Sequence, residues 1–346
     1  MMRVGVFSES AFTFTGHGVH SAYAECRDLL LRTPGVQLLS PHALKSTDIL
    51  HVHSAGPAAL GLLLRHVGPK VISAHLTADS FMGSIEYAEY FRGAIERYLR
   101  FFYGQADLVL AVSAGTGSYL QDQLRITRPI RIMSNTIDGR IIATLQTRRA
   151  ELRTKFGWLP GRPVILGVGQ IQPRKGIDDF VEVARALPYA DFVWVGGFLF
   201  GPLSADRRRL NRVIGSAPGN LAFTGPVPRA LAYEYYAAAD IFLSPARQET
   251  FGLAALEASM AGLPVILRDL PSYREIFRDA YIPVADKSYV PTILALLNDH
   301  EKLTMYKKRA RTLADSYESA TRVGELLAAY RLVNRLASCR LHQNLR

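Results

Sequence analysis

The sequence alternates short, continuous apolar runs with longer segments of helical periodicity. The runs are mostly apolar and show no regular alternation of apolar and polar residues, which is typical of strands buried on both faces of a parallel sheet. The first-half runs span residues 4–7, 49–52, 70–73, 108–112 and 130–133, and the second-half runs span 164–168, 192–195, 221–223, 241–243 and 264–267. We predict helices between most of them, for example over 177–187, 230–239 and 253–261. This rhythm predicts an α/β fold of two doubly wound, Rossmann-like domains that face a cleft.

Length and composition agree with two globular domains. The chain has 346 residues, of which 49% are hydrophobic and 21% charged, which excludes a disordered chain and a disulfide-stapled miniprotein. No apolar run approaches the ~20 residues of a membrane-spanning helix. Charged residues over 147–156 and turn chemistry over 158–163 place the predicted boundary near 140–162, between a domain over 1–155 and another over 156–319.

The chain is basic, with a net charge of +11. Residues 307–346 contribute +6 of this excess, with nine Lys or Arg against three Asp or Glu. Such an excess favours phosphate-bearing ligands or an anionic membrane surface. We find no zinc-finger spacing, RNP-type motif or Lys/Arg-dense arm, so we expect no nucleic-acid partner.

Several familiar motifs are missing from the sequence. The nearest approach to a dinucleotide fingerprint is Gly167-Val-Gly169, but Gln172 replaces its third glycine, and no Walker A pattern occurs. Cys26 and Cys339 lie in no metal-ligand spacing, as in proteins of a reducing compartment. The apolar stretch before Ser8 is too short for a signal peptide, so we expect a cytoplasmic protein.

The segment from Ser244 to Val265 carries the densest chemistry. It predicts a strand that ends at Ser244, a loop that holds Glu249, and a helix that begins near Gly252. The first turn of a helix offers unpaired N–H groups and a partial positive charge, which suit a phosphate. Glu249 and Glu257 flank this site. Carboxylates at both ends of a phosphate site fit a ligand with hydroxyls at both ends, such as a nucleotide sugar.

The spacing Glu249-x7-Glu257 resembles the motif of the GT-B glycosyltransferases of family 4. The resemblance extends from Arg3 to about Tyr330. Within the family, the chain is most similar to the bacterial enzymes that build glycosyl-diacylglycerols, through Gly176-Ile-Asp-Asp-Phe-Val-Glu-Val-Ala, Phe192-Val-Trp-Val-Gly-Gly and Ile266-Leu-Arg-Asp-Leu-Pro. The resemblance implies that a C-terminal helix, about 320–346, packs back on the first domain.

The resemblance also implies roles for residues of the second domain. Glu249 would bind hydroxyls of the donor sugar, and Glu257 those of the ribose. The amides of Phe251, Gly252 and Leu253 would hold the phosphate and sugar. Arg174 and Lys175 would neutralise the leaving diphosphate. The chain departs from the family at Gln170, where an arginine is usual, and Arg174 is the candidate substitute.

In the first domain, Gly16 and Gly18 match the family's glycine-rich loop beneath the leaving phosphate, and His75 matches the histidine that reaches the transferred sugar. The alternatives are an ordinary turn and an ordinary hydrogen-bonded loop histidine. Enzymes of this kind retain anomeric configuration, generally without a covalent enzyme intermediate. Because no Asp-x-Asp occurs, and cations and helix dipoles would handle the diphosphate charge, we expect no metal and no other cofactor.

A stripe over residues 87–103 is the candidate membrane or acceptor surface. On a helix, Phe91, Tyr98 and Phe102 share one face, and Arg92 and Arg100 could contact anionic lipid. The alternative is a core-facing stripe with a solvated rim.

These features predict a retaining, metal-independent hexosyltransferase that uses a nucleotide sugar, with UDP-glucose or UDP-galactose expected as donor. The expected acceptor is a membrane glycerolipid, and the expected location is peripheral, on the inner face of the cell membrane. The alternatives are a soluble or cell-surface polysaccharide acceptor and a non-catalytic GT-B partner subunit.

Overall fold

The computed structural model of the chain describes residues 1–12, 18–40, 42–43 and 46–344. They divide into two compact units. The first comprises Met1–Ala78, Phe91–Thr136 and Tyr317–Arg346, and the second comprises Asp79–Tyr90 and Ile137–Ser316. Each unit is therefore built from more than one segment of the chain.

Each unit holds one parallel sheet. The strands of the first are β1 (Met2–Phe7), β2 (Val36–Leu39), β3 (Ile49–Val52), β4 (Lys70–Ala74), β5 (Leu108–Ala111) and β6 (Ile130–Ile132). The strands of the second are β7 (Val164–Val168), β8 (Asp191–Val195), β9 (Leu221–Phe223), β10 (Ile241–Ser244), β11 (Val265–Arg268) and β12 (Ile282–Val284).

Helices connect the strands in both units. In chain order they are α1 (Gly18–Leu31), α2 (Pro57–Arg65), α3 (Ala78–Phe81), α4 (Arg92–Tyr103), α5 (Ala114–Ser118), α6 (Arg140–Gln146), α7 (Arg149–Lys155), α8 (Ile177–Ala186), α9 (Arg207–Gly215), α10 (Arg229–Ala238), α11 (Leu253–Met260), α12 (Pro271–Phe277), α13 (Tyr289–Leu297), α14 (His300–Asp315) and α15 (Ser319–Asn344).

Strand order confirms two Rossmann-like folds. The first sheet runs β2-β1-β3-β4-β5-β6 and the second β12-β11-β10-β7-β8-β9, with parallel pairing throughout the described strands. In the second sheet the chain leaves β7 toward β8 on one side and later returns to β10 on the other. Ligands of such sheets bind outside the carboxyl ends of the strands at this change of direction.

The longest segment of the second unit begins at Ile137, whereas the sequence predicts a second domain over 156–319. The helices α6 and α7 belong to the second unit because their side chains pack there. Leu152 is fully buried against Ala237 and Ala238 of α10. Arg149 of α7 forms a 2.6 Å ion pair with Asp240, next to β10.

The helix α15 completes the core of the first unit. Leu326, Tyr330 and Val333 are 2% exposed or less and pack in one cluster with β1, β3, β4 and β5. The Tyr330 hydroxyl also lies 2.8 Å from Nδ1 of His51 on β3. The buried face of α15 is thus part of the core that covers this sheet.

Candidate active site

The loops after β7 and β10 bring three of the predicted site residues to the change of direction in the second sheet. β7 and β10 are hydrogen-bonded neighbours. The loop after β7 holds Arg174 and Lys175, and the loop after β10 holds Glu249. Gly176 joins the first loop to α8 with a φ of 72°, and a Cβ there would lie 2.3 Å from the carbonyl oxygen of Pro245. Glycine is therefore required where the two loops approach each other.

Lys175 and Glu249 form an ion pair between these loops. Their side chains are only 15% and 14% exposed. Burial lowers the pKa of Lys175. Burial would raise the pKa of Glu249, but Lys175 and Arg174 together hold it below its ordinary value. The carboxylate therefore stays ionised and has two cations beside it.

Arg174 is anchored by residues far away in sequence. Its Nε donates to Oγ of Ser84 at 2.9 Å. The Ser84 hydroxyl lies 3.2 Å from the side-chain oxygen of the buried Gln172, whose amide donates to Gln170. Gln170, the departure from the family, is thus part of a polar chain that reaches Arg174. Ser84 has no sequence signal for this role, because its contact depends on packing over about ninety residues.

The start of α11 requires a glycine because it packs against an aromatic ring of the protein itself. Gly252 precedes the helix with a φ of 89°, and a Cβ there would lie 2.6 Å from the ring of Tyr273. Phe251 is 2% and Leu253 8% exposed, so both side chains face the protein. Only their backbone could therefore serve a ligand.

Glu257 lies on the buried side of α11. It is 7% exposed and accepts a 3.0 Å hydrogen bond from the hydroxyl of Tyr236. Burial, with the nearby carboxylate, raises the pKa of Tyr236 well above its ordinary value, so the tyrosine remains a donor. Tyr236 orients Glu257, a partner that the sequence analysis misses because helical spacing does not reveal it.

In the first unit, His75 follows β4 and is 8% exposed. Its Nε2 lies 3.1 Å from Nδ1 of His53, and the two rings stack with centroids 5.3 Å apart. Gly18 begins α1, and no described atom lies within 4 Å of a Cβ built there. Gly16 lies outside the described residues, so its loop stays a prediction.

Cys26, His51 and His53 bring three atoms of metal-binding type within 4.8 Å of one another. His51 already uses both ring nitrogens, Nδ1 with Tyr330 and Nε2 with Ser73 at 2.9 Å. Burial raises the pKa of the Cys26 thiol to about 12, which opposes the thiolate that metals prefer. These residues therefore fit a hydrogen-bonded core better than a metal site.

The buried histidines predict an acid-sensitive first unit. Burial, with neighbouring histidines, lowers the pKa of His51 to about 3 and also lowers that of His53. In the unfolded chain these histidines take up protons below their ordinary pKa of about 6.5, and in the folded chain they do not. The free energy of unfolding should therefore fall by about 1 kcal/mol per histidine between about pH 7 and 5.5. Urea unfolding at both pH values measures this.

The matched variant is His51→Gln, which should reduce that fall by about 1 kcal/mol. His300→Gln, at an exposed position, is the control and should leave the difference unchanged. An identical pH dependence in His51→Gln and the parent would contradict the prediction.

The candidate membrane stripe only partly reaches the surface. Phe102 is fully buried, so its prediction as a membrane contact is wrong: with Leu99 it forms the core face of α4. Tyr98 is half-buried and donates a 3.0 Å hydrogen bond to the carbonyl of Ala55. Phe91, Arg92 and Arg100 are exposed. Within the described part of the chain, no helix has the length and apolar character needed to span a membrane.

Two family models match the chain in succession. The model described as glycosyltransferase family 4 matches residues 5–162, and the model described as glycosyl transferases group 1 matches residues 148–313. The second match contains Arg174, Lys175, Glu249 and Glu257.

Two bacterial relatives cover most of their own length in alignment with this chain. One is the alpha-galactosylglucosyldiacylglycerol synthase of Streptococcus pneumoniae, 29% identical over 324 residues, with 91% of this chain and 86% of that protein covered. The other is the processive diacylglycerol alpha-glucosyltransferase of Acholeplasma laidlawii, 30% identical over 228 residues, with 65% and 67% covered.

Solved structures share the fold. Sucrose-phosphate synthase from Thermosynechococcus elongatus superposes with a TM-score of 0.78 at 17% identity, over 96% of this chain and 99% of that one. Anabaena HepE in complex with UDP-glucose superposes with a TM-score of 0.72 at 15% identity, over 99% and 100%. From its matched domains, relatives and fold, the chain belongs to the GT-B glycosyltransferases, with a family 4 domain followed by a group 1 domain.

Proposed function

We propose that this protein transfers a hexose, with retention of configuration and without a metal, from UDP-glucose or UDP-galactose to a membrane glycerolipid. The proposed acceptor is diacylglycerol or a monoglycosyl-diacylglycerol. The protein would act from the cytoplasm, as a peripheral protein on the inner face of the cell membrane. The observation that carries this proposal is the buried Lys175–Glu249 pair, with Arg174 beside it, at the carboxyl ends of β7 and β10.

This arrangement suits the donor half of the reaction. Arg174 and Lys175 supply two positive charges for a diphosphate, and charge-assisted hydrogen bonds of this type contribute ~1.5–3 kcal/mol each. Glu249 can accept hydrogen bonds from sugar hydroxyls while it keeps Lys175 charged. The amides around Gly252 and the carboxylate of Glu257 would hold the phosphate and the ribose. HepE, a structural neighbour, binds UDP-glucose in its solved complex.

The relatives support the acceptor half. Both the Streptococcus and the Acholeplasma proteins are named for work on diacylglycerol lipids. The first of them aligns over 91% of this chain. A lipid acceptor also agrees with the net charge of +11. The cytoplasmic face of a membrane carries anionic lipids, which attract basic proteins.

In the proposed step, the bond between the anomeric carbon and the donor phosphate oxygen breaks, and its electron pair leaves with the diphosphate. Arg174 and Lys175 stabilise the negative charge that develops there. The acceptor hydroxyl forms the new bond on the same face, and its proton passes to a phosphate oxygen. His75 would contact the transferred sugar, and His53 holds its ring in place through the 3.1 Å contact.

Nucleotide release from a panel of UDP-, GDP- and ADP-sugars tests the proposal, with and without liposomes that contain diacylglycerol. We expect release of UDP from one UDP-hexose, only when the lipid is present. The anomeric proton of the product, read by NMR, should show retention. If UDP is released without lipid when a polysaccharide is supplied, the acceptor is the polysaccharide and not the lipid. Absence of release from every donor would favour a non-catalytic partner subunit.

Chelation is the test of metal independence. Since lysine and arginine side chains would neutralise the diphosphate, release of UDP in EDTA should remain within about twofold of release in Mg²⁺. A GT-A-type glycosyltransferase that needs Mn²⁺ is the control and should lose its activity in the same buffer. Loss of activity in EDTA that Mg²⁺ or Mn²⁺ restores would contradict this part of the proposal.

A further inference from the structure

Two loops of the second unit are tied together at its surface. Ile85 pairs with Ser204 in an antiparallel bridge. The amide of Glu86 donates to the carbonyl of Leu203 at 3.0 Å, and the amide of Asp206 donates to the Glu86 carboxylate at 2.7 Å. The backbones of the two loops are therefore held together at this junction.

Three large side chains with apolar surface are exposed on the junction, and the exposed Glu89 lies between two of them in sequence. Tyr87 is 63%, Tyr90 79% and Leu203 66% exposed, and the two tyrosine rings lie 6.3 Å apart. Tyr87 has a φ of 61°, a left-handed conformation that is uncommon for a bulky residue. The loop before Leu203 reads Phe198-Leu-Phe-Gly-Pro, an apolar sequence in a position where surface loops are usually polar.

Two exposed arginines follow Leu203 closely along the chain. The helix α9 begins four residues after Leu203, and its Arg207 and Arg208 are exposed. The Arg207 guanidinium lies 5.6 Å from the ring centre of Phe198. Arg209, in contrast, is engaged by Asp178 and Asp206. Arg207 and Arg208 are thus the exposed cations nearest in sequence to Leu203.

We propose that Tyr87, Tyr90, Leu203, Arg207 and Arg208 form a docking surface for an anionic phospholipid membrane; we call it the loop surface. Tyrosine at the headgroup level, an aliphatic side chain below it and arginine beside anionic lipid are the composition of an interfacial anchor. This inference rests on the proposed lipid acceptor, which requires the enzyme at a bilayer. It places a membrane contact on the donor-binding unit, in addition to the exposed residues of α4.

Tryptophan fluorescence with brominated lipid tests the contact directly. The variant Leu203→Trp is mixed with vesicles of phosphatidylglycerol and brominated phosphatidylcholine, and the parent gives the background of Trp158 and Trp194. The matched control is Leu159→Trp, because Leu159 is 64% exposed in the same unit. We expect strong quenching at position 203 and little at 159. Equal quenching at the two positions in vesicle-bound protein would overturn the proposal.

The variants Arg207→Gln and Arg208→Gln test whether the two arginines contribute to the binding of anionic vesicles. Each arginine should account for about fivefold in vesicle binding at low salt, and the effect should vanish on neutral phosphatidylcholine vesicles. Unchanged binding of the double variant to anionic vesicles would overturn the electrostatic part. A concentration-dependent dimer in the parent that Tyr90→Ser abolishes would overturn the proposal in favour of self-association.

The loop surface and the lipid acceptor can be contradicted independently of each other. If the parent releases UDP only with lipid but position 203 is not quenched, the loop surface is wrong and the proposed function stands. If position 203 is quenched but UDP release does not depend on lipid, the loop surface stands and the lipid acceptor is wrong.

Discussion

Glu249→Gln should lower kcat/KM for the nucleotide sugar by about 10–150-fold, which corresponds to the ~1.5–3 kcal/mol of a charge-assisted hydrogen bond. The substitution preserves shape and removes the counter-charge of Lys175, whose side chain is 15% exposed. It also removes the acceptor that would bind the sugar hydroxyls. Steady-state kinetics with the donor panel measure the change.

The same variant should shift the alkaline side of the pH–rate profile. Burial already lowers the pKa of Lys175, and Glu249 opposes that effect. Without the carboxylate the pKa falls further, so the lysine loses its charge, and the enzyme its activity, at a lower pH than in the parent. Glu182→Gln, at an exposed position of α8, is the control and should change neither quantity. A kcat/KM of Glu249→Gln within twofold of the parent would mean that the donor site lies elsewhere.

Removal of α15 should abolish cooperative folding of the first unit. Leu326, Tyr330 and Val333 are almost fully buried in its core, and the burial of each such side chain stabilises by about 1.5–3 kcal/mol. Their sum approaches the ~5–15 kcal/mol by which a whole domain is stable. A chain that ends at Ser316 should therefore become sensitive to protease in the first unit and lose the near-ultraviolet circular dichroism of that unit's tyrosines and phenylalanines.

A point substitution keeps this prediction measurable where the truncated chain does not stay in solution. Leu326→Ala should lower the free energy of unfolding by about 2–5 kcal/mol. Leu64→Ala, at a position of α2 that is 57% exposed, should change it by about 0.5 kcal/mol or less. Urea unfolding of both variants decides the matter, and a similar small effect in the two would contradict the assigned role of α15.

Continuous apolar runs are a strong signal, and every strand predicted from one is present. The two strands that the prediction misses, β2 and β12, lie at the edges of their sheets. β2 is only half-buried, and β12 contains Pro283, which a central strand excludes. Edge strands need less burial on their faces, so their sequences carry a weaker pattern.

Some contacts of the candidate site could also be predicted from the sequence, and others could not. Lys175 and Glu249 each follow a buried strand, and their meeting at one end of the sheet could be predicted from strand direction. Ser84 and Tyr236 could not be predicted, because each reaches its partner through tertiary packing. Phe102 was predicted for the surface because a helical stripe does not reveal which of its sides is covered.

The position of α15 in the first unit has a consequence for how the protein is made. The second unit ends at Ser316, so all of its residues have been synthesised before α15 is translated. The first unit lacks part of its core until Tyr330 and Val333 have left the ribosome. Nascent chains usually complete their N-terminal domain first. Here the second unit can fold before α15 is translated. The sheet of the first unit stays partly uncovered until α15 has been made.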